Sequence, residues 1–328
     1  MRIFLTGATG YLGTALARRL AADGHELRAL VRETSDTGGL DGLGVATFVG
    51  DVTDRLSMRE AMSGSDWVVH LAAELSPAAS LDRMREINVR GSENVASLAY
   101  KLGVGALLSV SSIAYFGGSP PGGEPAVEDT PPQRPFPSAY SVTKHEGELA
   151  IRRWTEQGLR TVTVYPSLIY GPPGKKQGAN WLLRALLQER FPALVGADRR
   201  TSWIFLDDAV DAVVRAMERL GTGVEPGREY LLAGDVATVR ELAERVAALG
   251  GVKPPRLSLP VGLARLATRV TAPLFRLAGK NPPLPGEQLA SLARHWCFDD
   301  SRARRELGWR PRTLDEGLPP TVEYILSR

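Results

Sequence analysis

Residues 2–13 read R-I-F-L-T-G-A-T-G-Y-L-G: an apolar run of strand length, then three glycines spaced G-x-x-G-x-x-G, with a helical pattern opening on the last. A chain that leaves a strand through such a turn and enters a helix at once is committed to a crossover, which returns the next strand parallel to the first. The first half repeats that unit. Runs at 2–6, 27–31, 46–49, 67–71, 106–110 and 161–166 are nearly continuous in Val, Leu, Ile or Phe, the pattern of strands covered on both faces. Between them, 13–22, 80–102 and 138–157 carry apolar residues at i, i+3, i+4 spacing and read as amphipathic helices. The fold expected is α/β, a doubly wound parallel sheet with helices on both faces.

After Gly171 the rhythm changes. A Pro/Gly/Lys loop over 171–178 opens a mostly helical part, with sheet-like returns at 203–206 and 230–232. Helical patterns follow at 239–249, 261–277 and 286–294, broken by proline turns at 253–255 and 281–285. We read residues 1–170 with about 201–235 as a dinucleotide-binding domain. Residues 171–200 with 236–328 form a smaller, mostly helical C-terminal substrate lobe. Composition narrows the function classes. Forty basic against 37 acidic residues leave a net +3, small and spread along the chain, which gives no nucleic-acid stripe. The single cysteine, Cys297, excludes an internal disulfide framework and a cysteine-rich zinc site, and no metal is expected. No apolar run reaches 18 residues, so no integral membrane segment is expected. With the first strand starting at Arg2, the expectation is a cytoplasmic protein without a signal peptide.

Gly7, Gly10 and Gly13 allow a tight turn, close backbone approach to a pyrophosphate and close helix–strand packing. Thr9, Tyr11 and Leu12 share that turn, and the helix N-terminus presents free N–H groups to phosphates. Plain turn chemistry is the alternative; the strand-to-helix setting favours a nucleotide. The end of the second strand is where an adenosine ribose would lie. NAD enzymes place a carboxylate there, whereas this chain has Arg32, whose guanidinium suits a 2′-phosphate. Glu33 beside it blurs the signal, and a solvated strand-end arginine is the bland reading. We expect NADP(H) ahead of NAD(H). Asp51 and Val52, in G-D-V, follow the third strand, where Asp51 either meets the adenine edge or makes an ordinary turn.

Tyr140 and Lys144, in Y-S-V-T-K, lie four apart and share one face of a helix. A phenol with a pKa near 10 is a poor acid or base at neutral pH. An ammonium one turn away would lower it toward working range. Ser111 and Ser112 stand at the end of the fifth strand, where ligands of open α/β sheets gather. Ser112 there either polarises a substrate carbonyl or simply caps a turn.

The set T-G-A-T-G-Y-L-G, G-D-V, H-L-A-A, I-N-V-R-G-S-E-N, V-S-S-I-A-Y-F-G, Y-S-V-T-K, Y-P-S-L-I-Y-G-P and W-I-F-L-D-D-A-V runs in order from residue 1 to about 215. With the ending D-D-S-R-A-R-R-E-L-G-W-R-P, it resembles the extended short-chain dehydrogenase/reductases of the NAD-dependent epimerase/dehydratase family. Within that superfamily it is most similar to dihydroflavonol-4-reductase-like proteins, including bacterial hopanoid-associated sugar epimerase-like members. The resemblance implies a Rossmann fold and gives roles residue by residue. Tyr140 becomes the general acid/base, Lys144 its tuner and a ligand of the nicotinamide ribose, and Ser112 the carbonyl-binding serine. Asn88 would order the proton relay and its helix, though alone it reads equally as a helix cap. Leu71, Ala72, Ala73 and Ser111 would line the cofactor, with Pro166, Ser167 and Leu168 beside the nicotinamide. His70 reads as a packed strand residue, and Asp207 and Asp208 as structural.

Ketone reduction, 4-epimerisation and 4,6-dehydration share this constellation. Three departures weaken a sugar-nucleotide substrate. Tyr165 stands where such members commonly carry Arg. Leu284-Pro-Gly-Glu287 lacks the arginine of their R-P-G-D stretch. Ile113 and Ala114, not an acidic pair, follow Ser112. The expected function is therefore an NADP(H)-dependent reductase acting at a carbonyl or alcohol carbon of a small, apolar or ring-containing substrate. An NAD-dependent sugar-nucleotide epimerase or dehydratase is the alternative; a non-catalytic NAD(P) sensor fits less, having no need of an acid/base. Residues 257–279 are apolar with Arg265, Arg269 and Arg276 interspersed, and suit either a lipid surface, a hydrophobic substrate or plain packing on the lobe. Lys175 and Lys176 would meet an anionic group or water. Trp181, Trp203 and Phe205 would line the pocket or fill the core. Helices 80–102 and 138–157 are long enough for a homodimer's four-helix bundle, or are covered within one chain.

Overall fold

The computed structural model describes residues 1–174, 177–223, 225–277 and 286–327. Its strands are β1 (Arg2–Thr6), β2 (Glu26–Val31), β3 (Ala46–Val49), β4 (Trp67–His70), β5 (Ala106–Val110), β6 (Thr161–Pro166), β7 (Leu168–Tyr170), β8 (Ala193–Val195), β9 (Arg200–Phe205), β10 (Arg228–Leu232), β11 (Asp235–Thr238) and β12 (Leu257–Leu259). Seven of them form one parallel sheet in the order β10-β6-β5-β4-β1-β2-β3. The order reverses between β1 and β4, the switch point where a doubly wound sheet opens a crevice.

The continuous apolar runs follow from this sheet. Ile3 and Leu5 face one core, closed by the helices Tyr11–Ala22 and Leu206–Gly221, while Phe4 between them faces a second core under Gly91–Lys101 and Ala139–Glu156. Alternation survives, but both sides of the pleat are dry, so both positions are apolar. The chain later returns to the first core, where Ala303, Leu307 and Trp309 are buried.

The helix expected over 80–102 is interrupted. It begins at Leu81–Met84 with Ser80 Oγ accepting the Arg83 N–H at 3.1 Å, passes through a π-helical stretch, Arg85–Arg90, and continues as Gly91–Lys101. The extra residue per turn leaves the apolar spacing almost intact, so the sequence does not betray it; such stretches cluster at functional sites. Gly147 explains how the next helix comes so close, since a Cβ there would sit 2.3 Å from the Asn88 carbonyl oxygen.

The remaining elements build a third core around Leu183, Trp203, Leu242 and Leu318. It is framed by the β11-β9-β7 sheet, the β12-β8 pair and the helices Asn180–Leu187, Val239–Gly250 and Leu314–Leu326. Among the described residues no helix is long and apolar enough to cross a membrane, and no cluster of His, Cys, Asp and Glu could hold a metal.

Candidate active site

Register gathers the candidate residues at one edge of the sheet. Thr6 pairs with Leu30 and His70, His70 with Ser109, Val110 with Val164 and Val31 with Val49. The residues just beyond those ends are Gly7, Arg32, Asp51, Leu71–Ala73, Ser111–Ser112 and Pro166–Leu168. Six strands thus deliver the sequence candidates to the carboxyl edge, where ligands of open sheets bind.

The glycine turn is shaped by absent side chains. Gly7 has φ +74°, and a Cβ on it would lie 2.7 Å from the Ala72 nitrogen. A Cβ on Gly13 would lie 2.1 Å from the Gly7 carbonyl oxygen. Gly10 caps the first helix with no side-chain hydrogen bond and no acidic residue in the first turn, so its leading N–H groups and positive dipole end face the crevice. This cradle fits a dinucleotide pyrophosphate. Leu12 is buried in the first core, so only its backbone serves the turn, and Thr9 is half-buried. The Tyr11 phenol turns toward the lobe: it donates to the Gly171 carbonyl and accepts from Asn180 Nδ2 at 3.3 Å. Fully buried Asn180 also holds the Gly171 N–H at 3.0 Å. Sequence reasoning missed Asn180, whose only local signal is an amide at the start of a helix.

Arg32 is exposed, and its guanidinium has no partner among the described residues; only its N–H is used, donating to Ser35 Oγ at 3.1 Å. Asp51 Oδ1 accepts from the Thr53 N–H and hydroxyl, both at 2.9 Å, which is turn chemistry. Val52 packs in the second core.

Ser112 Oγ accepts the Ala114 N–H at 3.1 Å and lies close enough to the Tyr140 phenol to lower its pKa. It therefore both caps the 113–116 turn and touches the acid/base candidate. Among the described residues, Ser111 Oγ is buried without a hydrogen-bond partner, an unspent hydroxyl beside the crevice. Burial pushes the Tyr140 phenol up to about 12, against the nearby Ser112 hydroxyl. Burial also pushes the Lys144 ammonium down to about 8, opposed by Glu148. Sequence reasoning expected Lys144 to bring the phenol down; in the protein itself desolvation wins, and the phenol keeps its proton at neutral pH. Lys144 Nζ donates to the Val110 carbonyl at 3.3 Å, which fixes it at the end of β5.

Asn88 lies in the π-helical stretch and is 2% exposed. Its Oδ1 accepts the Glu74 N–H at 2.7 Å, and its Nδ2 donates to the Glu74 carbonyl at 3.1 Å and to Thr143 Oγ1 at 3.0 Å. It pins the 71–80 loop to the residue beside Lys144. His70 is a packed strand residue, bonded to Thr6 Oγ1 at 2.7 Å and Ser92 Oγ at 3.0 Å; burial and the Lys144 charge push it down to about 3. Ser167 Oγ is spent on the Ala233 carbonyl at 2.8 Å, while Leu168 is 41% exposed.

Several open readings close. Trp203 and Phe205 belong to the lobe core, and Trp181 is exposed. Asp208 accepts from the Arg312 N–H at 2.7 Å and guanidinium at 2.9 Å, a structural role. Tyr165 is fully buried and donates to Glu229 at 3.1 Å. Glu287 accepts the Ala139 N–H at 3.3 Å, in the first turn of the Tyr140 helix. Arg294 donates to the carbonyls of Gly117, Gln133 and Pro135, fastening the lobe to the loop after Ser112. Lys175, Lys176 and Leu284 lie outside the described residues.

A network behind Lys144 was not anticipated. Buried Glu148, one turn further along the helix, accepts from Thr163 Oγ1 at 2.8 Å. Beyond it Arg152 pairs with Glu229 and donates to the Tyr165 hydroxyl at 3.3 Å. A cavity of about 330 Å³ adjoins these groups. Burial pushes the Glu148 carboxyl up to about 7, with Glu229 adding to it and Thr163, Arg152 and Lys144 opposing it.

Comparison with known proteins agrees with this geometry. Residues 3–233 match the model of the NAD dependent epimerase/dehydratase family. The chain is 31% identical to the 2-alkyl-3-oxoalkanoate reductase of Stenotrophomonas maltophilia, covering 97% of each chain. It is 30% identical to the 4-hydroxy-2-methyl-3-oxo-4-farnesyl-3,4-dihydroquinoline-1-oxide ketoreductase of Stigmatella aurantiaca, covering 97% of this chain and 95% of that one. Among solved structures, gox2253 superposes with a TM-score of 0.86 at 29% identity, covering 99% of this chain and 98% of that one.

Proposed function

The chain belongs to the NAD dependent epimerase/dehydratase family, and from that premise we propose that it is an NADP(H)-dependent carbonyl reductase of the extended short-chain type. The observation that carries the reading is the Ser112–Tyr140 pair at the end of β5, with a phenol held in its acid form. Bound NADPH would supply a hydride. Ser112 donates to the carbonyl oxygen and polarises it. Tyr140 delivers its proton to that oxygen as the carbon is reduced, giving the alcohol. Lys144 holds the nicotinamide ribose and stabilises the phenolate left behind. Asn88 fixes the helix that carries Tyr140 and Lys144.

Gly7, Gly10 and Gly13, with the backbone of Thr9, Tyr11 and Leu12, hold the pyrophosphate. Arg32 takes the 2′-phosphate and Asp51 the adenine edge; Leu71–Ala73, Ser111 and Pro166–Leu168 line the nicotinamide half. We assign the dinucleotide to residues 1–170 with about 201–235, apart from Trp203 and Phe205, which pack in the lobe core, and a small, apolar or ring-containing carbonyl substrate to the lobe. Both relatives named above carry reductase names, which supports this direction over internal hydride recycling. The one cysteine is buried and free, which suits a reducing cytoplasm. Exposed Tyr100 and Leu149 on the paired helices suit a homodimer.

The test is mass spectrometry of the nucleotide released on denaturation, then turnover of a carbonyl panel with NADPH by wild type and Tyr140→Phe. We expect exchangeable NADP(H) and a loss in kcat of about 10²–10⁴-fold in the variant, with NADPH affinity kept. Tightly retained NAD without carbonyl reduction would move the assignment to an epimerase or dehydratase, and unchanged turnover in Tyr140→Phe would remove the mechanism.

A further inference from the structure

The positive charge of this chain is not spread evenly, contrary to the reading from total composition. From 245 to 286 there are seven basic residues (Arg245, Lys253, Arg256, Arg265, Arg269, Arg276 and Lys280) and no acidic one. That stretch outweighs the net +3 of the whole chain, so the remainder is acidic on balance.

The helix Val261–Leu277 sits inside this stretch and has three sectors over 261–271. Ala264 is buried, with Val261, Thr268 and Thr271 half-buried on the same side, one turn apart. That stripe packs on the lobe. A second stripe, Leu263, Leu266 and Val270, is 55%, 58% and 64% exposed, at i, i+3, i+7 spacing. Between the two lie exposed Arg265 and Arg269, four apart. A helix that only packs on its own domain needs one inward stripe, and the first stripe supplies it. Just before this helix in the chain, Leu257 is 67% exposed, with Arg256 and Lys253 also exposed.

We propose that this face docks the protein on an anionic lipid bilayer, with Leu263, Leu266 and Val270 entering the interface and the flanking arginines meeting the headgroups. An exposed apolar stripe beside basic residues is how an interfacial helix binds. The run without acids matches the negative surface of such a membrane, where each Lys or Arg strengthens binding roughly fivefold. A second copy of the chain suits the face less, because a two-fold contact would set the same cations against each other. The inference is independent of the reaction proposed above.

Co-sedimentation of the full chain with phosphatidylcholine vesicles, with and without phosphatidylglycerol, tests it. Wild type should sediment with the anionic vesicles, stay in solution with the neutral ones, and be released by added salt. Leu266→Glu/Val270→Glu and Arg265→Glu/Arg269→Glu should each weaken binding at least about tenfold, with circular dichroism and thermal unfolding unchanged because these side chains are exposed. Absence of binding to the anionic vesicles, or binding indifferent to both double variants, would overturn the proposal. So would a wild-type dimer that Leu266→Glu/Val270→Glu converts to monomer, since a second copy would then own the face.

Discussion

Glu148→Gln should stabilise the protein at alkaline pH and leave it nearly unchanged at pH 5. Glu148 is 3% exposed, and its Oε2 has no hydrogen-bond partner among the described residues. The nearest guanidinium nitrogen, Arg152 Nε, lies 4.0 Å from Oε1, while Arg152 itself is committed to Glu229. The carboxyl therefore sits at about 7 rather than 4.5 in the folded protein. A raised carboxyl pKa means that the folded state holds the proton more tightly than the unfolded chain. The stability associated with the protonated form is complete below about pH 4.5 and is lost as pH rises through about 7. At about 1.4 kcal/mol per unit, the ionised form costs the wild type about 3 kcal/mol above that range. The glutamine amide of the variant keeps an acceptor for Thr163 and carries no charge to desolvate. With unfolding entropy of roughly 2 cal/mol/K per residue, a chain of 328 residues converts that gain to about 4 °C in Tm. Thermal and urea unfolding of both proteins from pH 5 to pH 8 would measure it. A wild-type-minus-variant difference constant across that range would refute the reasoning. So would a variant less stable at pH 8, which would mean that Lys144 and Arg152 hold Glu148 ionised.

Two further outcomes follow from the cofactor cradle. Gly13→Ala should abolish nucleotide retention, because its Cβ would lie 2.1 Å from a backbone oxygen and the turn must open; calorimetric titration with NADPH checks this, and native affinity would show that the turn is not the pyrophosphate site. Arg32→Ala should weaken NADPH at least about tenfold, the scale of one lost charge-assisted contact, while sparing NADH; equal losses in fluorescence titration would sink the 2′-phosphate assignment.

The sheet was legible because burial on both faces writes itself as unbroken apolar runs, and β1, β5 and β6 begin and end where those runs do. β3 keeps its expected bounds too, but it is an edge strand with Ala46, Thr47 and Val49 exposed, not one covered on both faces. β7, β8 and β12 are three residues each, too short for any periodicity to register. The π-helical stretch escaped for a different reason: one inserted residue shifts an apolar stripe less than natural variation in that stripe. Site residues that follow strand ends, such as Ser112, could be read because the fold itself assigns ligands to that edge. Those that depend on distant partners could not. Glu148 and Arg152 look like an ordinary i, i+4 surface pair, and only Thr163 on β6 and the close approach at Gly147 reveal a buried carboxylate. Arg294 likewise reads as a solvated residue near a chain turn, while in space it ties three carbonyls across the two lobes.

Glu148 also bears on why a chain keeps a group that weakens it. Lys144 is pushed down to about 8 by burial, and Glu148 is the charge that opposes this. Remove the carboxylate and nothing in that account offsets desolvation, so the ammonium proton becomes easier to lose near neutral pH. The reaction proposed here needs that proton in place, because a neutral amine stabilises no phenolate. Ionised Glu148 therefore weakens the fold while serving a group one helical turn away, and the stability expected of Glu148→Gln is the other side of that coupling. Arg152 offsets the carboxylate only in part, because Glu229 and Tyr165 hold its guanidinium and its Nε stays 4.0 Å from Glu148 Oε1. Tyr165, which in the sequence argued only against a sugar-nucleotide substrate, thus acquires a second meaning. It helps leave Glu148 free to act on Lys144.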